Sequence, residues 1–140
     1  MNFREGQLGP GYLRQSERTL SKLRMLMEQQ SGSDILISLS QLGIRHGGRS
    51  VRRAREVFPA NEYGVGAKDA GTMLLTNPVR LQHDDDLWID CAGDDFAPEA
   101  CGRFRWAPCF YFDDGEVKFD ASFVDDANEN DGSVSGFLPQ

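Results

Sequence analysis

Apolar residues recur at two different spacings along this chain, and the change of spacing divides it. From Tyr12 to Gln30 the composition is rich in Leu, Met, Arg, Lys, Glu and Gln. Leu13, Leu20, Leu23 and Met27 fall on one face at three- and four-residue steps, which predicts a helix. "SGS" at 31–33 ends it. The next stretch, "SDILISLSQLG", carries both periods. Ile35, Ile37 and Leu39 alternate as in a strand, whereas Leu36, Leu39 and Leu42 fit a helix. Ser33 as N-cap and Gly43 beyond the C-terminus favour the helix. "IRHGGR" reads as a turn, and Ser50 as the N-cap of a short helix, "VRRAREVF", stopped by Pro59. Residues 1–11, punctuated by Gly and Pro, read as a loose arm, 12–58 as a helical segment, and 59–71 as a loop or linker.

Beyond residue 71 the period becomes two. "TMLLT", "VRLQ", "DLWIDC", "APCFYF", "EVKFDASFV" and "VSGFL" are short apolar or alternating runs separated by "NP", "HDDD", "AGDD", "DDG" and "NENDG", which is turn chemistry. The clearest hairpin is "CFYF-DDG-EVKF", with Gly115 where a positive φ is wanted. Val117 and Phe119 share one face of its second arm and Lys118 and Asp120 the other. On the first arm Tyr111 and Asp113 stand on an outer face above Phe110 and Phe112. The expected fold class is therefore α+β, with N-terminal helices followed by a C-terminal antiparallel sheet over 72–140.

The chain of 140 residues, 39% apolar, suits one ordinary domain or two very small ones. No apolar run reaches the length of a membrane helix, and the N-terminus lacks a basic segment followed by an apolar one. A cytoplasmic protein with no membrane association is expected. The net charge of −7 hides an asymmetry: residues 1–80 carry a balance of +5 and residues 81–140 one of −12. A chain split this way is expected to have two faces or two modules with different partners. Cys91, Cys101 and Cys109 are an odd set whose spacing, even with His83, does not match structural zinc modules. His46 and His83 fall in predicted loops, and no nucleophile, phosphate-binding or metalloprotease motif is present. No enzymatic activity, catalytic residue or cofactor is expected, with zinc and calcium kept only as alternatives.

Three candidate chemistries remain. "ISLSQLGIRHGGRSVRRAREVF" has the outline of a helix-turn-helix, with Arg45, Arg49, Arg52, Arg53 and Arg55 as cations for a nucleic-acid backbone, although its turn is long for that motif. "DDANENDGS" alternates oxygen donors as calcium loops do. Read from Asp126, however, position 6 is Asp131 rather than Gly, and position 12 is Phe137 rather than Glu, so the EF-hand pattern fails. The third candidate is a ligand-binding face on the sheet, where rigid aromatics and short polar residues interleave. Its residues are Phe104, Trp106, Tyr111, Asp113, Asp114, Asp120, Ser122, Phe123, Asp125, Asp126, Asn128 and Asn130. The favoured function is non-enzymatic binding of a protein or small ligand through them. Nucleic-acid binding by the basic helix is the alternative, and a third is an acidic protein that mimics nucleic-acid charge.

"LWIDCAGDDFAP", "APCFYFDDGEVKF" and "GSVSGFLPQ" resemble the C-terminal blocks of variable proteins made by diversity-generating retroelements. The likeness runs from Leu87 to the end and lacks the Arg-containing ending common in those proteins. It implies a fold similar to C-type lectins and formylglycine-generating enzymes. It also implies diversified positions at Asp113, Asp114, Asp120, Ser122, Phe123, Asp125, Asp126, Asn128, Glu129, Asn130 and Asp131, on a fixed scaffold of intervening Phe, Gly and Val.

Overall fold

The computed structural model describes residues 1–140. The expected α+β class is observed. A six-stranded sheet is assembled from β1 (Leu13–Gln15), β4 (Trp88–Asp90), β5 (Asp94–Phe96), β6 (Trp106–Asp113), β7 (Glu116–Phe123) and β8 (Asp131–Ser133). A second sheet has the order β2 (Leu39–Gln41), β9 (Ser135–Phe137), β3 (Glu62–Gly64). Helices α1 (Glu17–Gln29), α2 (Val51–Val57) and α3 (Ala67–Thr76) all precede the long strands. No helix is long and apolar enough to cross a membrane.

Strands β6 and β7 form the predicted hairpin, in unbroken antiparallel register from Trp106↔Phe123 to Asp113↔Glu116. Asp114 (φ 53°) and Gly115 (φ 79°) make its turn, which needs two positive φ values; Asp tolerates this conformation and Gly adopts it freely. The other edge of β6 is shared by β5, through Phe96↔Trp106, and β4, through Ile89↔Phe110 and Asp90↔Cys109. β8 lies parallel on the far side of β4, with Trp88↔Asp131 and Asp90↔Ser133. Alternation then divides the sheet. Ile89, Cys91 and Val134 enter the main core with α1 and α3, and Phe110, Phe112 and Phe119 pack against it. Trp88, Asp90, Cys109, Tyr111, Lys118, Asp120, Asp131 and Ser133 take the opposite face.

Several expected boundaries move. The chain at 13–15 pairs with β5 before the helix begins, so α1 starts at Glu17 behind the N-cap Ser16, whose hydroxyl accepts from the Thr19 amide. Residues 33–43 do not form the expected helix but a turn, an extended run and β2. The Ser33 hydroxyl accepts from the Ile35 amide in a local turn instead of capping a helix, and the Gln30 side chain clamps the Ile37 backbone from both sides, at 2.6 and 2.7 Å. The two-helix unit of a helix-turn-helix is therefore not formed; a 3-10 turn at Ile44–His46 leads into α2 alone. Residues 1–4 are not loose: the Phe3 amide donates to Phe119 O, the Phe119 amide to Met1 O, and Arg4 pairs with Asp120 at 2.7 Å.

The expected linker 59–71 holds β3 and the start of α3. Its glycines serve close packing: a Cβ on Gly64 would lie 2.3 Å from the Ala92 carbonyl oxygen. Gly66 gives α3 no side-chain cap, and Asp94 from β5 replaces it, accepting from the Ala67 amide at 2.7 Å. Burial is the largest influence on the Asp94 carboxyl and raises it to about 6, although the Ala67 amide pulls the other way. An acid raised in the fold contributes stability below its unfolded value that is lost as pH rises through about 6. Asp94→Asn keeps an acceptor for Ala67 and carries no charge. It is expected to lessen the loss of stability between pH 4 and pH 8 by about 2 kcal/mol, read by urea denaturation at each pH.

Candidate functional site

The polar face of the large sheet runs in registered rows. Across one row stand Asp131, Trp88, Tyr111 and Lys118; across the next, Ser133, Asp90, Cys109 and Asp120. The indole of Trp88 stacks on the Tyr111 ring, with centroids 4.1 Å apart and planes 14° from parallel, and both rings are half-buried. Lys118, buried on this face, pairs with Asp113 and, at 3.4 Å, with Asp114. Its bond to Asp113, chiefly, raises the ammonium pKa. Burial lifts the Tyr111 hydroxyl above its ordinary value.

Helix α2 covers the far end of this face. Val51, Ala54 and Phe58 pack with Ala92, Ala107 and Val124. The chain leaves β7 at Val124 on this side and returns beside Trp88, whose amide donates to Asn130 O at 2.7 Å. The loop 124–130 therefore passes over the polar face, and residues 125–130 are exposed. Beneath it Asp90 and Asp131 are 2% and 6% exposed. Burial, then repulsion from Asp131, pushes Asp90 up to about 7; burial, then the charge of Asp126, pushes Asp131 up to about 6. Burial also drives the Cys109 thiol well upward, so it remains protonated at neutral pH.

The twelve residues predicted as a ligand face are not all brought together. Tyr111, Asp113, Asp120 and Ser122 share the polar face, with Asp114 on the hairpin turn beside them. Trp106 and Phe123 are a registered pair on the opposite face, in edge contact at 5.9 Å, with Arg105 over Phe123. Phe104 lies by α2 with the Arg14 guanidinium 3.9 Å above its ring. Asp125 is taken by Arg52 and Arg105. Asp126, Asn128 and Asn130 stand free in the loop crossing the polar face, apart from a local turn in which Asn128 accepts from the Asn130 amide. Sequence reasoning missed Trp88, Asp90, Lys118 and Ser133 as members of the face. The signal for Trp88, Asp90 and Ser133 was the two-residue period of "WIDC" and "DGSVS", where each apolar or Gly position separates two polar or aromatic ones; that for Lys118 was its place on the Asp120 side of "EVKFD".

The arginines proposed for nucleic acid are engaged by the fold. Arg52 pairs with Asp125 and Arg53 with Glu56. Arg55 pairs with Asp95 and donates to the carbonyls of Ala92 and Asp94. Arg45 reaches Glu62 at 3.4 Å, and Arg49 donates to Arg45 O. The thiols do not converge: Cys91 points into the core, Cys109 to the opposite face, and Cys101 is exposed. No three His, Cys, Asp or Glu side chains gather in a metal-holding group.

One buried set has the composition of a hydrolase triad. His46 Nε2 lies 2.7 Å from Glu62 Oε1, and the Ser135 hydroxyl donates to the same oxygen at 2.5 Å. The order is wrong for catalysis, because Ser135 bonds to the acid rather than to the imidazole. Arg49 faces Nδ1 at 3.2 Å, which leaves Nε2 carrying the proton donated to Glu62. Glu62 is 0% and His46 3% exposed, so no substrate reaches them. The set fastens the 3-10 turn, β3 and β9 together.

Comparison with protein-family models, curated proteins and solved structures finds no match.

Proposed function

We propose that this protein is a non-enzymatic binding module whose recognition surface is the polar sheet face around Trp88 and Tyr111, rimmed by the loop 125–130, and that it takes a basic segment of a partner protein. The stacked Trp88–Tyr111 pair carries the reading. Half-buried aromatic rings on a strand face that is otherwise polar offer rigid contact area at little entropic cost, as recognition surfaces do. The charge supports a cationic partner. Asp126 and Glu129 on the rim are exposed and in no ion pair of the chain, in a half that carries −12. A Lys or Arg side chain can lay its apolar stem or guanidinium on the rings and its charge beside those acids. The resemblance to retroelement variable proteins is compatible with this reading, since its implied variable positions include Asp126, Asn128, Glu129 and Asn130 on this rim; Phe123, on the far face, is not part of the surface.

The test is a fluorescence titration with an arginine-rich peptide and a glutamate-rich control, in a Trp106→Phe background so that Trp88 is the only indole. The arginine-rich peptide is expected to shift the Trp88 emission saturably and to bind about tenfold more weakly when salt rises from 50 to 300 mM. Tyr111→Ala and Asp126→Asn/Glu129→Gln are each expected to weaken it several-fold. Equal binding of both peptides, or indifference to these substitutions, would overturn the reading.

A further inference from the structure

Two carboxyls and a hydroxyl on β4 and β8 end in buried atoms with no hydrogen-bond partner: Asp90 Oδ1, Asp131 Oδ1 and Ser133 Oγ. Asp90 and Asp131 are 2% and 6% exposed, and Ser133 is fully buried. They are neighbours by construction. Ser133 stands opposite Asp90 in the parallel register, and Asp131 precedes Ser133 by two residues on the same face. None of the chain's ion pairs includes Asp90 or Asp131. Buried polar atoms are ordinarily satisfied, and three orphans on one patch call for a common partner.

We infer that Asp90, Asp131 and Ser133 form an oxygen-only site for a divalent hard cation of the calcium or magnesium type, beneath the 124–130 loop. Two carboxylates match the charge of such an ion, and neither side chain has another cation to neutralise it. The donors are all oxygen, which excludes a preference for zinc or copper; the neighbouring Cys109 stays a thiol and is no ligand. With only two acids present, the Ser133 hydroxyl and water complete the shell, as is common where magnesium is held by one or two carboxylates. The loop above adds the negative field of Asp126, which already acts on Asp131. The ion would tie β4 to β8 and hold the loop over them. None of the three ligands belongs to the peptide surface proposed above, although the ion would steady the loop that rims it.

The experiment uses the full chain stripped with EDTA, at pH 8 and constant ionic strength, with calcium, magnesium or potassium chloride added. Thermal unfolding and titration calorimetry are read together. Wild type is expected to gain several degrees in Tm with one of the divalent ions, saturably and with one ion bound per chain, and to ignore potassium. Asp90→Asn should fold and lose that gain, and Ser133→Ala should weaken the ion about tenfold or more. No gain and no heat with either divalent ion would overturn the inference. So would the same gain in Asp90→Asn, which would mark screening of the acidic surface. A wild type indifferent to ions, beside an Asp90→Asn variant more stable than wild type, would show that a proton or water is the common partner. Arginine-peptide binding measured in the same EDTA buffer keeps the two proposals distinguishable.

Discussion

Glu62→Ala is expected to cost about 3–5 kcal/mol of unfolding free energy, a large part of what a domain of this size possesses. The carboxylate is fully buried and accepts from Ser135 at 2.5 Å and His46 at 2.7 Å, with Arg45 at 3.4 Å. Alanine removes the acceptor for two buried donors and unlatches three chain segments that are remote in sequence. Glu62→Gln, with its amide oxygen in the place of Oε1, keeps the acceptor that both donors share but loses the charge and the pairing of Oε2 with Arg45, and is expected to cost about half as much. Burial pushes the Glu62 carboxyl upward, but the Ser135 hydroxyl, His46 and Arg45 together outweigh it and hold it below its ordinary value. A depressed acid contributes stability that is complete above its unfolded value and lost as pH falls through the folded one. The gap between wild type and Glu62→Gln should therefore narrow below pH 4. Guanidinium denaturation at pH 7 and pH 3.5 measures both effects; a wild-type midpoint for Glu62→Ala would mean that the buried set fastens nothing.

Ile89→Ala is expected to cost about 3 kcal/mol, within the range for a large aliphatic side chain cut back in a packed core. Ile89 is 0% exposed and belongs to the main cluster with Ala70 and Leu74 of α3, and Phe110 is its cross-strand partner. Its neighbour Trp88 points the other way. Trp88→Phe retains a ring to stack on Tyr111 and should change stability by about 1 kcal/mol or less. The same substitution should weaken the arginine-rich peptide, whereas Ile89→Ala should leave its affinity unchanged in whatever protein is folded. Two adjacent residues with opposite profiles, one structural and one recognitive, are what a strand with one face in the core and one outward requires. Urea denaturation and titration calorimetry with the peptide, which needs no indole signal, separate them on the same samples.

The hairpin was readable because its evidence is local: alternation on both arms and a turn whose Asp and Gly accept positive φ. The N-terminal half was harder for an equally physical reason. "SDILISLSQLG" holds helix caps and strand alternation at once, and tertiary pairing with β9 decided it, a contact almost a hundred residues away in sequence. The glycines of 59–71 looked like linker composition, yet Gly64 is there because the Ala92 carbonyl lies against it. The acidic half was legible as charge but not as pairing; which aspartates remain free depends on where Arg4, Arg52 and Lys118 arrive. The interleaving of aromatics with acids suggests a single surface for Trp106, Tyr111 and Phe123. The register of β6 with β7 shows that Tyr111 and Trp106 differ by an odd number of positions and so cannot share a face.

On the proposed reading the polar side of the large sheet, and neither the opposite aromatic pair nor the basic helix, meets the partner. Backbone and indole chemical shifts followed by NMR during titration with the arginine-rich peptide test it directly. Shifts concentrated at Trp88, Tyr111 and residues 126–130 are predicted, with Trp106, Phe123 and residues 51–57 still. Shifts centred on Trp106 and Phe123, or no saturable shift anywhere, would contradict it.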